Sequence, residues 1–189
     1  MEGPYAVTPL SHDTSTPQFR LLELHPSTQS SLIECSLRSY SFDESYPAYK
    51  ALSYTWGSVK DTYQLRLNGY EFSVSRNLWT FLEQMHLQRR HGVYWIDAIC
   101  INQSNTLEKN HQVQMMRRIY STAEQVVIWL GEATQDKTSD MAMDVVASTH
   151  KWVSNRRSGD SMHESHFIWD ERETRAVKHL FSRDYWTRI

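Results

Sequence analysis

Residues 93–103, VYWIDAICINQ, set a single carboxylate, Asp97, inside an apolar run. A run this short, rich in isoleucine and aromatic residues, predicts a buried central strand over 93–101. An ionised carboxylate in such a place is costly to bury unless it is paired or hydrogen-bonded. Asn102 and Gln103 follow where the strand should open into a loop. In open α/β sheets, ligands gather beyond the carboxyl ends of the strands. This strand tip is therefore expected to be the working end of the fold.

The flanking patterns say what surrounds that strand. Alternating segments at 18–24, 32–37 and 50–56 predict three strands, the first two separated by a turn at 26–28. Tyr63, Leu65 and Leu67 alternate before Asn68-Gly69, and Tyr70, Phe72 and Val74 after it. Asn-Gly between two such runs predicts a hairpin, because both turn positions need positive φ. Leu78, Phe81, Leu82 and Met85 form a helical stripe that Ser75 or Asn77 can cap. A second helix starts at Asn105 with Glu108 three residues on, the layout of a capping box, and carries Val113, Met116 and Tyr120 at helical spacing. A strand over 125–130, a helix capped by Ser139 or Asp140, a polar loop over 156–165 and a helix over 170–182 complete the chain. Strands and helices alternating from residue 75 predict an α/β fold, a mainly parallel sheet flanked by helices, with an N-terminal β-hairpin addition. Residues 1–17, rich in Pro, Ser and Thr, are expected to form a disordered tail, leaving 18–189 as one domain.

Charge narrows the function. Lys and Arg total 20 against 22 Asp and Glu, so no electrostatic case exists for a nucleic-acid partner or an anionic membrane. No apolar stretch approaches the length of a membrane span. The first residues lack the basic-then-apolar layout of a signal peptide. Cys35 and Cys100, both in apolar segments, are expected to be buried free thiols. A soluble cytoplasmic protein is the expectation. The nine histidines are scattered, with His163 and His166 the nearest pair, and they predict no metal site.

Four ordered motifs resemble one family: YKALSYTWG at 49–57, YWIDAICINQ at 94–103, EKNHQVQMM with VIWLG across 108–131, and RDYWTRI at 183–189. Together they resemble the heterokaryon incompatibility (HET) domain of filamentous fungi. The resemblance implies a module of non-self recognition that triggers programmed cell death, an innate-immunity role. HET domains are similar to TIR domains, so a flavodoxin- or TIR-like sheet is implied. Some TIR domains cleave NAD⁺ at the nicotinamide–ribose bond, and others only assemble. The implied partners are further copies of the chain or other incompatibility proteins. No cofactor is required, and NAD⁺ is the implied substrate of an NAD⁺ glycohydrolase alternative. The family's fourth motif continues past this tryptophan to a Gln-Glu pair, where TIR enzymes keep their key glutamate. The resemblance thus implies a domain incomplete at its C-terminus, and a truncated, inactive remnant is the third reading.

Asp97 and Glu108 are the catalytic candidates. A carboxylate near the strand tip can hydrogen-bond ribose hydroxyls or stabilise an oxocarbenium-like sugar. Equally, Asp97 suits a buried acid tying down loop amides, and Glu108 suits a helix cap favoured by the dipole. Ser53, Tyr54, Trp56, Gly57, Asn102 and Gln103 are the substrate-binding candidates. The aromatic rings suit stacking on a flat ligand, and Gly57 suits a turn or close approach. Tyr54 and Trp56 suit one face of a half-buried strand just as well, and the two amides suit a self-bonded loop.

Overall fold

A computed structural model describes residues 3–11, 15–26, 32–58, 60–157 and 168–187, with the side chains of 155–157 left aside. The expected turn at Ser27 and Thr28 and the His163–His166 pair lie outside the described residues, as do Arg188 and Ile189.

Two compact units divide the chain at Gly131. The first holds strands β1 (Gln18–Leu24), β2 (Glu34–Ser41), β3 (Lys50–Tyr54), β4 (Thr62–Leu67) and β5 (Tyr70–Ser75), then helix α1 (Arg76–Leu87). Strand β6 (Gly92–Trp95), the single turn α2 (Asp97–Cys100), helix α3 (Thr106–Thr122) and strand β7 (Gln125–Trp129) complete it. The second unit holds α4 (Thr138–Arg157) and α5 (Glu171–Phe181). Asp170 caps α5 with both legs of a capping box, its side chain accepting from the Glu173 amide and its own amide donating back.

One seven-stranded sheet, ordered β5-β4-β2-β1-β6-β3-β7, organises the first unit. It is mixed, and the expectation of a mainly parallel sheet is corrected. Strand β3 runs parallel to both β6 and β7, but the full-length β1–β2 and β4–β5 ladders are antiparallel, as is β1–β6. Period-two alternation carries no direction, and the parallel pairings are β3 with β6 and with β7 and, over two residues, β2 with β4. Nor are the N-terminal strands an appendage, because β1 lies at the centre, between β2 and β6. The hairpin is as expected: Asn68 (φ 51°) and Gly69 (φ 84°) turn β4 into β5.

Helices cover both faces at β6. Successive strand residues point to opposite sides. Tyr94 meets Phe81 of α1 edge-on at 5.8 Å, while Trp95 meets Tyr120 of α3 at 5.4 Å. Leu78, Phe81 and Leu82 form the buried stripe of α1. On α3 the expected inward Val113 is half exposed, and Gln112 is buried instead, its Nε2 donating to the Gln18 carbonyl. Cys35 and Cys100 are free and buried, and burial pushes both thiols up to about 12.

Within the segment expected to be a loose tail, residues 3–11 pack into the first unit. Leu10 and Thr8 are buried, and the Tyr5 hydroxyl donates to the carbonyls of Ile99 (2.9 Å) and Ile101 (3.2 Å). Among the described residues, no helix is long and apolar enough to cross a membrane.

Candidate functional site

The expected strand over 93–101 ends at Trp95, and the next residues coil into α2. An apolar run alone does not separate strand from buried helical turn. Here the Ile96 carbonyl accepts from the amides of both Ile99 and Cys100, closing the turn. Asp97 therefore sits just past the tip of β6 and not inside it. Its Oδ1 accepts from the Ala98 amide (2.8 Å), and its Oδ2 accepts from the Trp56 indole N–H (2.9 Å). That second bond fastens the exit of β3 to the exit of β6.

The loop after α2 is held from several sides. Gln103 Nε2 donates to the Asp97 carbonyl (2.9 Å). This bond fixes which way the amide faces, and it leaves Oε1 buried without a hydrogen-bond partner among the described residues. Asn102 Oδ1 accepts from the Ser104 hydroxyl at 2.7 Å, a local loop bond of the kind common for asparagine. The Asn102 amide donates to Glu108 Oε1 (2.7 Å).

Glu108 is the end of a buried ion pair. Arg20 of β1 donates from Nη1 to Oε1 (2.5 Å) and from Nη2 to Oε2 (3.1 Å), a two-pronged contact. Arg20 also donates from Nε to the Thr8 carbonyl (2.7 Å) and from Nη1 to the Cys100 carbonyl (3.2 Å), and lies 4.9 Å from the centre of the Tyr5 ring. As expected, Asn105 caps α3 by accepting from the Glu108 amide (3.1 Å). The Glu108 side chain does not complete the box, because it faces Arg20.

Between these loops lies a cleft of about 350 Å³. Tyr54, Trp56, Asn102 and Gln103 line it, as expected of them, and Ser53 and Gly57 do not. Gly57 adopts φ +74°, and a Cβ there would lie 3.5 Å from the Asn77 Cβ, so its role is the turn out of β3. Asp97 stands beside the cleft through Trp56 and Ala98, and Glu108 lies behind the loop on Arg20. Sequence patterns missed the opposite wall, Phe72 to Ser75 of β5, together with Tyr5. Burial pushes the Tyr5 phenol above its usual range. The hairpin itself was the only available signal for the β5 wall, and Tyr5 gave none. Asn77, expected as a cap of α1, lies inside that helix instead: its Nδ2 donates to the Thr55 carbonyl (2.6 Å) while its Oδ1 accepts from the Trp129 indole (3.0 Å), tying the exits of β3 and β7. Chemically, the cleft presents ring faces, hydroxyls and amides.

Comparison with known proteins agrees with the motifs. A family profile described as heterokaryon incompatibility protein (HET) matches residues 49–189. Heterokaryon incompatibility protein 6, OR allele, of Neurospora crassa is 36% identical over 170 residues, which are 82% of this chain and 24% of that protein. Vegetative incompatibility protein HET-E-1 of Podospora anserina is 28% identical over 94 residues, 48% of this chain and 7% of its own length. The chain thus aligns with about a quarter of the first relative and a smaller share of the second. No solved structure matches.

Proposed function

The chain belongs to the heterokaryon incompatibility (HET) family, and from that premise we propose that it is the signalling domain of a fungal non-self recognition protein. In this reading a nucleotide binds in the cleft, promotes self-association or contact with other incompatibility proteins, and sets off cell death. The observation that carries the reading is the cleft itself, where Tyr54, Trp56, Asn102 and Gln103 converge from the exits of β3 and β6. Its lining is suited to holding a ligand, since a mostly apolar wall with a few placed polar groups is the usual composition of a binding pocket.

The strand pattern supports a TIR-type comparison. Taken in chain order, β3, β6 and β7 lie as second, first, third across the sheet, the opening order of a flavodoxin-like fold. The enzyme alternative, an NAD⁺ glycohydrolase, is favoured by Asp97, a carboxylate one hydrogen bond from the cleft wall. Against it, both Asp97 oxygens already accept hydrogen bonds and Glu108 is committed to Arg20. Binding without turnover is the better-supported reading.

Isothermal titration of the purified chain with ATP and NAD⁺, together with an assay for released nicotinamide, tests it. Saturable binding with no release is expected. Steady nicotinamide release that Asp97→Asn abolishes would replace the binding reading with the hydrolase one, and absence of any binding would remove the cleft from the mechanism.

A further inference from the structure

We propose that the cleft takes an uncharged flat ring of nucleobase type and leaves any phosphate attached to it outside, in solvent. This inference rests on the ligand-binding reading above and narrows it to one part of the ligand.

None of the twelve residues that line the cleft carries a charge, and four of them, Tyr5, Tyr54, Trp56 and Phe72, are aromatic. The polar ends of two of those rings are already engaged. The Tyr5 hydroxyl is bonded to two carbonyls of the α2 loop, and the Trp56 N–H is bonded to Asp97. What these side chains still offer is their ring surfaces, which attract other flat rings. The remaining polar groups are hydroxyls and amides, among them Ser73, Ser104 and Asn102. Ser104 and Asn102 bond to each other and Ser73 accepts from Gln64, which leaves the Ser73 hydroxyl proton, the Asn102 amide N–H groups and Gln103 Oε1 to meet the edges of a heterocycle.

Two cations near the cleft, Arg20 and Arg76, each face a carboxylate. Arg20 is 1% exposed and bound on both prongs to Glu108, so it cannot turn to a phosphate. Helix α1 begins at the cleft wall, where a dipole end would favour an anion. There Asp61 already lies 3.7 Å from Arg76, the first residue of α1, and its carbonyl accepts from the Arg76 amide (2.9 Å). A phosphate entering the cleft would lose its hydration and find no lining cation, which is unfavourable. The volume of about 350 Å³ also lies near the lower end of ligand pockets, roughly 300–1,000 Å³. That suits a ring with its sugar better than a whole dinucleotide.

Titration of the full chain with adenosine, AMP, ATP and NAD⁺, at low and high salt, tests the inference. Affinities for adenosine and its phosphorylated forms should agree within about threefold, because exposed charge contacts add little, and salt should leave them unchanged. Phe72→Ala should weaken all of them by roughly tenfold, the scale of one lost base–aromatic stack. Trp56→Ala should act in the same direction, with circular dichroism checking that each variant is folded. N-acetyl-tryptophanamide serves as the probe for a side-chain ring, and tighter binding of that probe than of adenosine would overturn the nucleobase assignment. Phosphorylated ligands that bind tenfold or more tightly than adenosine, with the gain lost in salt, would overturn the inference while sparing the ligand-binding reading. No binding by any probe would overturn both.

Discussion

Asp97 and Glu108 are comparably buried, at 9% and 6% exposure, yet the two regions around them are built on different physics. Around Glu108 a guanidinium supplies full opposite charge on two prongs, behind the loop whose Asn102 amide also donates to it. Around Asp97 an indole and a backbone amide each supply one N–H, beside the cleft. The first arrangement is rigid and expensive to disturb, since removing one partner leaves an unmatched buried charge. The second joins two strand exits through a side chain that is itself part of the cleft wall. Similar burial therefore conceals a structural acid and an acid that shapes a binding surface.

Breaking the first region should have the largest effect. Arg20→Met strands the Glu108 charge and should cost about 3–5 kcal/mol in denaturant unfolding. Adding Glu108→Leu to Arg20→Met should return much of that loss, because apolar replacement of a buried pair is often tolerated. Failure to recover would mean that the pair does more than balance charge. Next comes the same acid-to-amide change made at both sites. Glu108→Gln should approach the loss seen for Arg20→Met, whereas Asp97→Asn should cost about 1–2 kcal/mol, the scale of one impaired hydrogen bond. Equal losses in the two variants would dissolve the contrast. Trp56→Phe, which keeps a ring but removes the N–H, should cost about 1 kcal/mol and loosen ligand binding more than it lowers stability. The smallest effect is expected for Gln103→Leu, within about 0.5 kcal/mol, since it deletes both a hydrogen bond and a buried unmatched oxygen. A large destabilisation there would show that Oε1 has an unseen partner, such as water.

Local signals were read well from the chain. The Asn68-Gly69 hairpin, the Asn105 cap, the Asp170–Glu173 box and the α1 stripe each depend on residues within a few positions, where spacing dictates geometry. Signals that join distant parts were not legible. Nothing near Glu108 announces a cation 88 positions earlier, so the cap pattern alone suggested a side chain turned back on its own helix. The apolar run after Trp95 fitted strand and buried turn alike, and only the Ile96 carbonyl bonds decide between them. Of the six expected binding residues, Tyr54 at the end of β3 and Trp56, Asn102 and Gln103 in the loops line the cleft, while Ser53 and Gly57 serve β3 and its turn. The β5 wall and Tyr5 arrive through sheet order and chain return, which period-two alternation cannot encode.

The central place of β1 bears on how such domains can be exchanged between proteins. The family profile begins at residue 49, but β1 and β2 separate the hairpin strands from β6 within the sheet. A graft that starts at Tyr49 would split the sheet into two pieces with a two-strand gap and remove the guanidinium that braces the α2 loop. Donor segments for chimeric incompatibility proteins should therefore be cut upstream of Tyr5, so that the transplanted piece carries its own middle.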